Sequence, residues 1–300
     1  MTKLTSLSEA ISKYVTDGDI VYAAGFTHLI PFAAGHEIIR QGKKNLTLAR
    51  ATPDLIYDMM VAAGCARKVI FSYMGNPGVG SLRIVRAAIE RGDLEMEEYS
   101  HFGMITRLQA GAAGLPFLPM NQVGVTDLER ANPNIKRIPD PYGGKDVIVV
   151  PALHPDVAIV HVQRADANGN AHLWGIIGEQ KEAAFAAKKV ILTAEEIVDE
   201  AVIRSDPNRT MIPANIVHAV CHTPYACHPS YAQGYYDRDN EFYLGWDEVS
   251  ASDEAVKAWL DEWVYGVKDR AEYWDKLGKE KQARLQVKPR MSQPINYGEY

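Results

Sequence analysis

Few groups in this 300-residue chain could do chemistry unaided, and the most suggestive are glycine turns, not nucleophiles. The run Asp17-Gly18-Asp19-Ile20-Val21-Tyr22-Ala23-Ala24-Gly25-Phe26-Thr27-His28 passes from a polar turn through a short apolar stretch and halts at a glycine. That order predicts a buried parallel strand with a loop opening beyond its carboxyl end. Pro31 suits the first position of a helix whose apolar spacing runs from Phe32 to Arg40. A strand, a tight glycine and a helix start leave backbone N–H groups free to face an anion or a polarised carbonyl oxygen. Gly25, Phe26, Thr27 and His28 are therefore candidate substrate contacts. A second turn, Gly75-Asn76-Pro77-Gly78-Val79-Gly80, also follows a predicted strand and precedes a predicted helix, the edge at which open α/β sheets bind ligands. No Gly-Lys-Ser/Thr follows it and it is not a clean G-x-G-x-x-G, so neither a P-loop nor a nicotinamide site is supported.

Glu97 and Glu98 stand beside Ser100 and His101, just ahead of another helix. They read either as a solvated strand end with a capping serine or as part of a site. In the second case the histidine supplies the side-chain type that titrates near neutral pH without help. No G-x-S-x-G elbow occurs, so no serine or cysteine stands out as a nucleophile. His218, Cys221, His222, Cys227 and His228 raise the question of zinc, which favours a tight ligand pair followed by a second pair. Ile216 to Val220 reads as a strand, on which His218 and Cys221 point to opposite faces. Core histidines are expected there, and no metal.

The elements that must position these groups alternate. After a capping box at Ser6-Leu7-Ser8-Glu9 come helix and strand in turn: strands at 20–24, 46–49, 68–72 and around 97–99, and helices at 32–40, 54–63, 81–90 and 101–113. Alternation at this pace predicts an open, doubly wound, mostly parallel sheet with helices on both faces. From Asn121 to Gly144 the chain loosens into Pro, Gly, Asn and Asp and reads as one long loop. Strands resume at 146–151 and 156–162, with a possible hairpin at His172-Leu173-Trp174, then at 190–193 and 216–220. Extra amphipathic helices at 253–264 and 269–277 close a single domain over 1–280, leaving a polar tail over 281–300. A net charge of −6 excludes a general nucleic-acid binder, and the lack of a run of about 18 apolar residues excludes a membrane-spanning helix. Three cysteines without C-x-x-C spacing, and an N-terminus without a long apolar core, fit a reduced cytoplasmic protein.

Taken together, these stretches resemble the α (A) subunits of family I coenzyme A transferases, most of all the glutaconate type. The resemblance is carried by Asp17-Gly18-Asp19 through Ala24-Gly25-Phe26-Thr27, then Pro31 to Ala34, Ile39 to Gly42, Asn76, Gly78-Val79 and Glu98-Tyr99-Ser100. It continues through Leu115 to Pro119, Asp156 to Ile159, Ala165-Asp166 with Gly169-Asn170, Glu195-Glu196-Ile197, Pro213, Ala219-Val220 and His228-Pro229-Ser230. The chain departs from the family where Ala24 replaces the first glycine of Gly-Gly-Phe and Ile30 stands where a later glycine is expected, which bears on loop shape and on the acyl group admitted.

The resemblance implies a soluble heteromeric enzyme, α2β2 or larger, with CoA thioesters as substrates and no permanently bound cofactor. It also implies that the thioester is attacked by a glutamate of the β subunit, giving an acyl-glutamyl anhydride and then a glutamyl-CoA thioester. This chain would supply walls and oxyanion donors from Gly25-Phe26-Thr27 and the turn holding Asn76, Gly78 and Val79. Asn121 and Gln122 would contact the acyl group, and Ser100 and His101 would orient its carboxylate or a water. Two other readings stay open: a ring-cleaving CoA-thioester hydrolase on the same scaffold, in which His101 would stand near an expected carboxylate, and a non-catalytic scaffold subunit.

Overall fold

The computed structural model describes residues 2–75, 80–120 and 126–287. Helix α1 (Leu7–Tyr14) starts at the expected capping box, with Ser6 and Glu9 each bonding the other's backbone. Strand and helix then alternate as β1 (Ile20–Ala23), α2 (Phe32–Arg40), β2 (Leu46–Ala49), α3 (Leu55–Ala62), β3 (Ala66–Phe71), α4 (Arg83–Arg91), β4 (Glu95–Glu98) and α5 (His101–Ala112). A smaller unit follows: β5 (Phe117–Met120), α6 (Leu128–Ala131), β6 (Lys136–Ile138) and β7 (Val147–Pro151). The chain returns to the main sheet with β8 (Val157–Ala165), β9 (Ala171–His172), α7 (Gln180–Ala186), β10 (Lys189–Ile197), α8 (Glu200–Ser205), β11 (Thr210–Ile212) and β12 (Ala219–His222). It ends in α9 (Asn240–Val249), α10 (Asp253–Leu260), α11 (Arg270–Lys276) and α12 (Lys279–Arg284).

Parallel neighbours run β12-β10-β8-β1-β2-β3-β4, and the antiparallel pair β9 and β11 extends from the far end of β8. Two cores lie on the two faces. In β1, Val21 and Ala23 join the core beneath α1 to α4, whereas Tyr22 packs into the core beneath α5 and α7. A strand apolar on both faces needs such double cover. The second sheet, β5-β7-β6, is antiparallel and lies on the α5 face. Among the described residues no helix is long and apolar enough to cross a membrane.

Tertiary contacts override the sequence pattern in three places. The stretch expected as one loop from 121 to 144 contains α6 and β6, because β6 finds a ladder against β7, with Arg137 opposite Ile148. Asn132 anchors the turn between them, donating from Nδ2 to the Glu98 carbonyl (2.8 Å). The last strand begins at Ala219, not Ile216, which instead closes a 3₁₀ turn. At the C-terminus, α10 gives way at Asp261–Tyr265 to a π turn, and α12 runs across the expected start of the tail. Lys281 there bonds Asp239 (2.9 Å) and Glu241 (2.8 Å). The unforeseen α9 locks onto α3: Tyr243 Oη donates to Asp54 (3.0 Å) and Trp246 Nε1 to Asp58 (3.0 Å). Burial pushes the Asp58 carboxyl up to about 6 despite those bonds.

Candidate active site

Beyond β1 the chain must reverse quickly into α2, and the loop that does so is strained at alternate positions. Gly25 has φ 146°, Thr27 has φ 60° and Leu29 has φ 54°. A β carbon on Gly25 would lie 2.7 Å from the Leu29 carbonyl oxygen, so only glycine fits. Positive φ is costly for a β-branched residue such as Thr27, and it persists only where neighbours impose it. Those neighbours are visible. Ser230 Oγ donates to the Thr27 carbonyl (2.9 Å), the Leu29 N–H donates to the Tyr231 carbonyl (2.9 Å), and the His28 N–H closes on the Phe26 carbonyl (2.7 Å).

Arg50, just past β2, reaches under the loop. Its guanidinium is 1% exposed, donates from Nη2 to the Gly25 carbonyl (2.6 Å), and leaves Nε and Nη1 without a partner among the described residues. A buried cation on a carbonyl fixes the peptide plane between Gly25 and Phe26 and polarises its N–H. His28 lies behind the loop, fully buried and stacked on Tyr231 at 5.1 Å. Its Nε2 sits 2.6 Å from the Ile176 carbonyl, which can only accept, so Nε2 carries the proton. Burial depresses the ring to about 4. His28 is thus a neutral prop for the loop and not a surface contact.

The second part of the site grows from the ends of β2, β3 and β4. Ser100 caps α5, accepting from the Gly103 N–H at 3.0 Å, and so puts His101 at the first helical position. Arg107 fixes the helix nearly two turns on, bonding Glu97 (3.0 Å) and the Pro151 carbonyl (3.0 Å) while lying 4.2 Å over the Tyr99 ring. His101 remains exposed, with the Phe26 ring edge-on at 6.2 Å. Its Nδ1 lies 2.7 Å from Ser72 Oγ and its Nε2 lies 2.8 Å from Thr52 Oγ1.

With a neutral ring, this chain of bonds runs in one direction. Ser72 Oγ is 2.5 Å from the Ala51 carbonyl, which accepts, so the serine proton points there. Ser72 must then accept from His101 Nδ1–H. Nε2 is left as an acceptor, and it takes the Thr52 proton.

The neighbouring carboxylates have other work. Glu97 is almost fully covered and meets Lys68 (2.5 Å), Tyr99 Oη (2.6 Å) and Arg107. Burial opposes its ionisation, but the Lys68 and Tyr99 bonds and the Arg107 charge outweigh that and lower its pKa. Deeper in the sheet, His161 bonds Thr193 (2.9 Å) and Glu195 (2.9 Å), and Glu195 also accepts from Tyr236 Oη (2.8 Å) and the Tyr225 N–H (2.8 Å). No thiol is poised to attack. Cys65 and Cys221 are pushed up by burial to about 11 and about 12, and Cys227 is buried and raised well above its ordinary value. Among the described residues no group of three or more His, Cys, Asp or Glu could hold a metal ion. A cavity of about 680 Å³ does open between α1, α2 and α11, but its walls include none of the residues of the loop or of the His101 chain.

Gly25, Phe26, Thr27 and His101 therefore come together at one sheet edge, Ser100 serves as the cap, and His28 stands behind. Asn76, Gly78, Val79, Asn121 and Gln122 lie outside the described residues. Sequence reasoning passed over Thr52, Ser72 and Arg50. A signal for them existed, since each stands one to three residues beyond the last residue of a parallel strand, where such sheets gather ligand contacts.

Known proteins match the chain in both sequence and fold. The family model described as coenzyme A transferase matches residues 4–223. The chain is 50% identical over 284 residues to a Pseudomonas knackmussii protein named as the A-type subunit of 3-oxoadipate CoA-transferase, covering 94% of this chain and 100% of that one. It is 37% identical to the A-type subunit of glutaconate CoA-transferase from Acidaminococcus fermentans, over 99% of this chain and 98% of that one. The crystal structure of glutaconate coenzyme A-transferase from the same organism superposes with a TM-score of 0.92 at 36% identity, covering 98% and 99% of the two chains.

Proposed function

The chain belongs to the coenzyme A transferase family as an A-type (α) subunit, and on that premise we propose that it moves CoA between short dicarboxylic acids, of the 3-oxoadipate or glutaconate kind, in an α2β2 or larger cytoplasmic assembly. One observation carries the reading: the site edge offers a shaped, strained turn and hydrogen-bonding groups but, among the described residues, no attacking group of its own. The Ser72 hydroxyl is committed to a carbonyl and the thiols are buried.

In this reading the thioester carbonyl is attacked by a glutamate of the partner subunit. The tetrahedral oxyanion collapses to an acyl-glutamyl anhydride with loss of CoA thiolate. The thiolate then attacks the glutamyl carbonyl, giving the glutamyl-CoA thioester and releasing the first carboxylate. A second carboxylate reverses both steps. Backbone N–H groups at Phe26 and Thr27, held by Arg50 and Ser230, face the oxyanion. A fixed donor of that kind is worth about 3–4 kcal/mol of transition-state stabilisation. No cofactor is required by this chemistry, since the thioester supplies the activated carbonyl.

Co-expression with a B-type (β) subunit should give CoA exchange between a carboxylate and an acyl-CoA, and borohydride should inactivate only when acyl-CoA and partner are both present. Full-rate transfer by the isolated chain would overturn the proposal. One contact favours a second reading as a thioester hydrolase: His101 Nε2 takes the Thr52 proton, a geometry in which a histidine could also take one from water. Under that reading product forms without a carboxylate acceptor, and His101→Ala abolishes it.

A further inference from the structure

The His101 chain has a property that a plain wall of the site would lack: its outer end can reverse polarity. With the ring neutral, Thr52 spends its proton on Nε2 and shows only oxygen lone pairs outward. Such a surface repels a carboxylate. With a second proton on the ring, Nε2–H donates to Thr52 Oγ1, and the Thr52 proton turns outward as a donor. Nδ1–H and Ser72 need not move in either state, because the Ala51 carbonyl fixes them.

We propose that Thr52 is a specificity-determining residue that receives the distal carboxylate of the acyl group, and that His101 takes up one proton from solvent when it does so. The inference rests on the transferase reading above and deepens it: the distal carboxylate of the dicarboxylic acyl group is bound at Thr52 together with a proton. Position supports it, since His101, bonded to Thr52 and Ser72, packs edge-on against Phe26 of the β1 loop at the sheet edge.

Charged groups on the surrounding elements leave the exchange to His101. The turn between β2 and α3 holds Arg50, buried on the Gly25 carbonyl, and Asp54, which caps α3 and accepts from Tyr243. Lys68 of β3, Glu97 of β4 and Arg107 of α5 form one closed cluster. The backbone carbonyl of Glu98 is taken by Asn132. His28, on the loop, is neutral and covered.

The test uses the complex with its partner, and compares adipate with hexanoate as CoA acceptors, equal in length but differing in the distal carboxylate. In the wild type, KM for adipate rises with pH while KM for hexanoate stays level. Thr52→Val keeps shape and deletes the hydroxyl. It should lower the adipate-to-hexanoate ratio of kcat/KM by about tenfold to a hundredfold through KM. His101→Asn, which retains a donor toward Ser72, should flatten the pH dependence of KM for adipate. Calorimetry of adipate binding in two buffers of different ionisation enthalpy should show uptake of a proton by the wild type and none by His101→Asn. An unchanged ratio in a folded Thr52→Val complex, or parallel pH profiles for the two acids, overturns the inference alone. Absence of exchange with every acyl pair overturns the transferase reading and takes this inference with it.

Discussion

His161 and His101 are each bonded through both ring nitrogens, and their surroundings could hardly differ more. His161 in β8 is fully buried between Thr193 and Glu195, and the Glu195 carboxyl is further shared with Tyr236 and the Tyr225 N–H. His101 is exposed at the start of α5 and touches two hydroxyls, Ser72 and Thr52. A carboxyl acceptor in a low-dielectric interior locks its partners, because breaking any bond leaves an unsatisfied buried group. Hydroxyls both donate and accept, so a chain of them near water can turn over at little cost. The first network is scaffold, and the second is suited to recognition.

The largest effect should follow from attacking the scaffold. Glu195→Ala would strand His161, Tyr236 Oη and the Tyr225 N–H together, lowering stability by about 3–5 kcal/mol in urea unfolding of the complex. If stability barely moves, the contrast between the two histidines fails.

Arg50→Met comes next. It removes a buried cation of similar volume, so stability changes little, but it frees the Gly25 carbonyl and should cut kcat about a hundredfold. Loss of stability without loss of turnover would make Arg50 scaffold as well.

A pH measurement extends the contrast to a second buried acid–histidine pair. Asp239 accepts from His228 (2.9 Å) and Lys281, and although burial alone would raise it, these bonds hold it down at about 2. The folded value lies below the unfolded value of about 3.9, so its stabilisation is complete above pH ~4 and fades as pH falls toward 2, by about 2–3 kcal/mol. In acid titration followed by circular dichroism, Asp239→Asn should flatten that part of the curve. An unaltered slope would show that the pair contributes nothing to acid stability.

The smallest effect belongs to the open chain. His101→Asn should leave stability within about 0.5 kcal/mol and slow transfer to a monocarboxylate by less than about tenfold. Complete loss of activity would favour the hydrolase reading.

Much of this was legible beforehand. Period-2 and period-3.6 patterns located β1, α2, α5 and the capping box at Ser6 nearly to the residue, because local backbone preferences and solvent partition act over a few neighbours. Gly25 announced a turn for the same reason. Less legible were α6, whose four residues are too short a run to show a helical period, β6, which is ordered by the β7 ladder, and α9, which is held on α3 through Tyr243 and Trp246. Ser100 and His101 looked alike as candidates, but only the helix geometry made one a cap and sent the other to the surface.

What the sequence by itself determined, then, is the alternation of strand and helix and the glycine turn past β1. The tertiary structure alone decided that Arg50 lies beneath that turn, that His28 faces inward, and that Thr52, Ser72 and His101 meet. The last three lie up to 49 positions apart in the chain. Parallel pairing sets the carboxyl ends of successive strands side by side regardless of that separation.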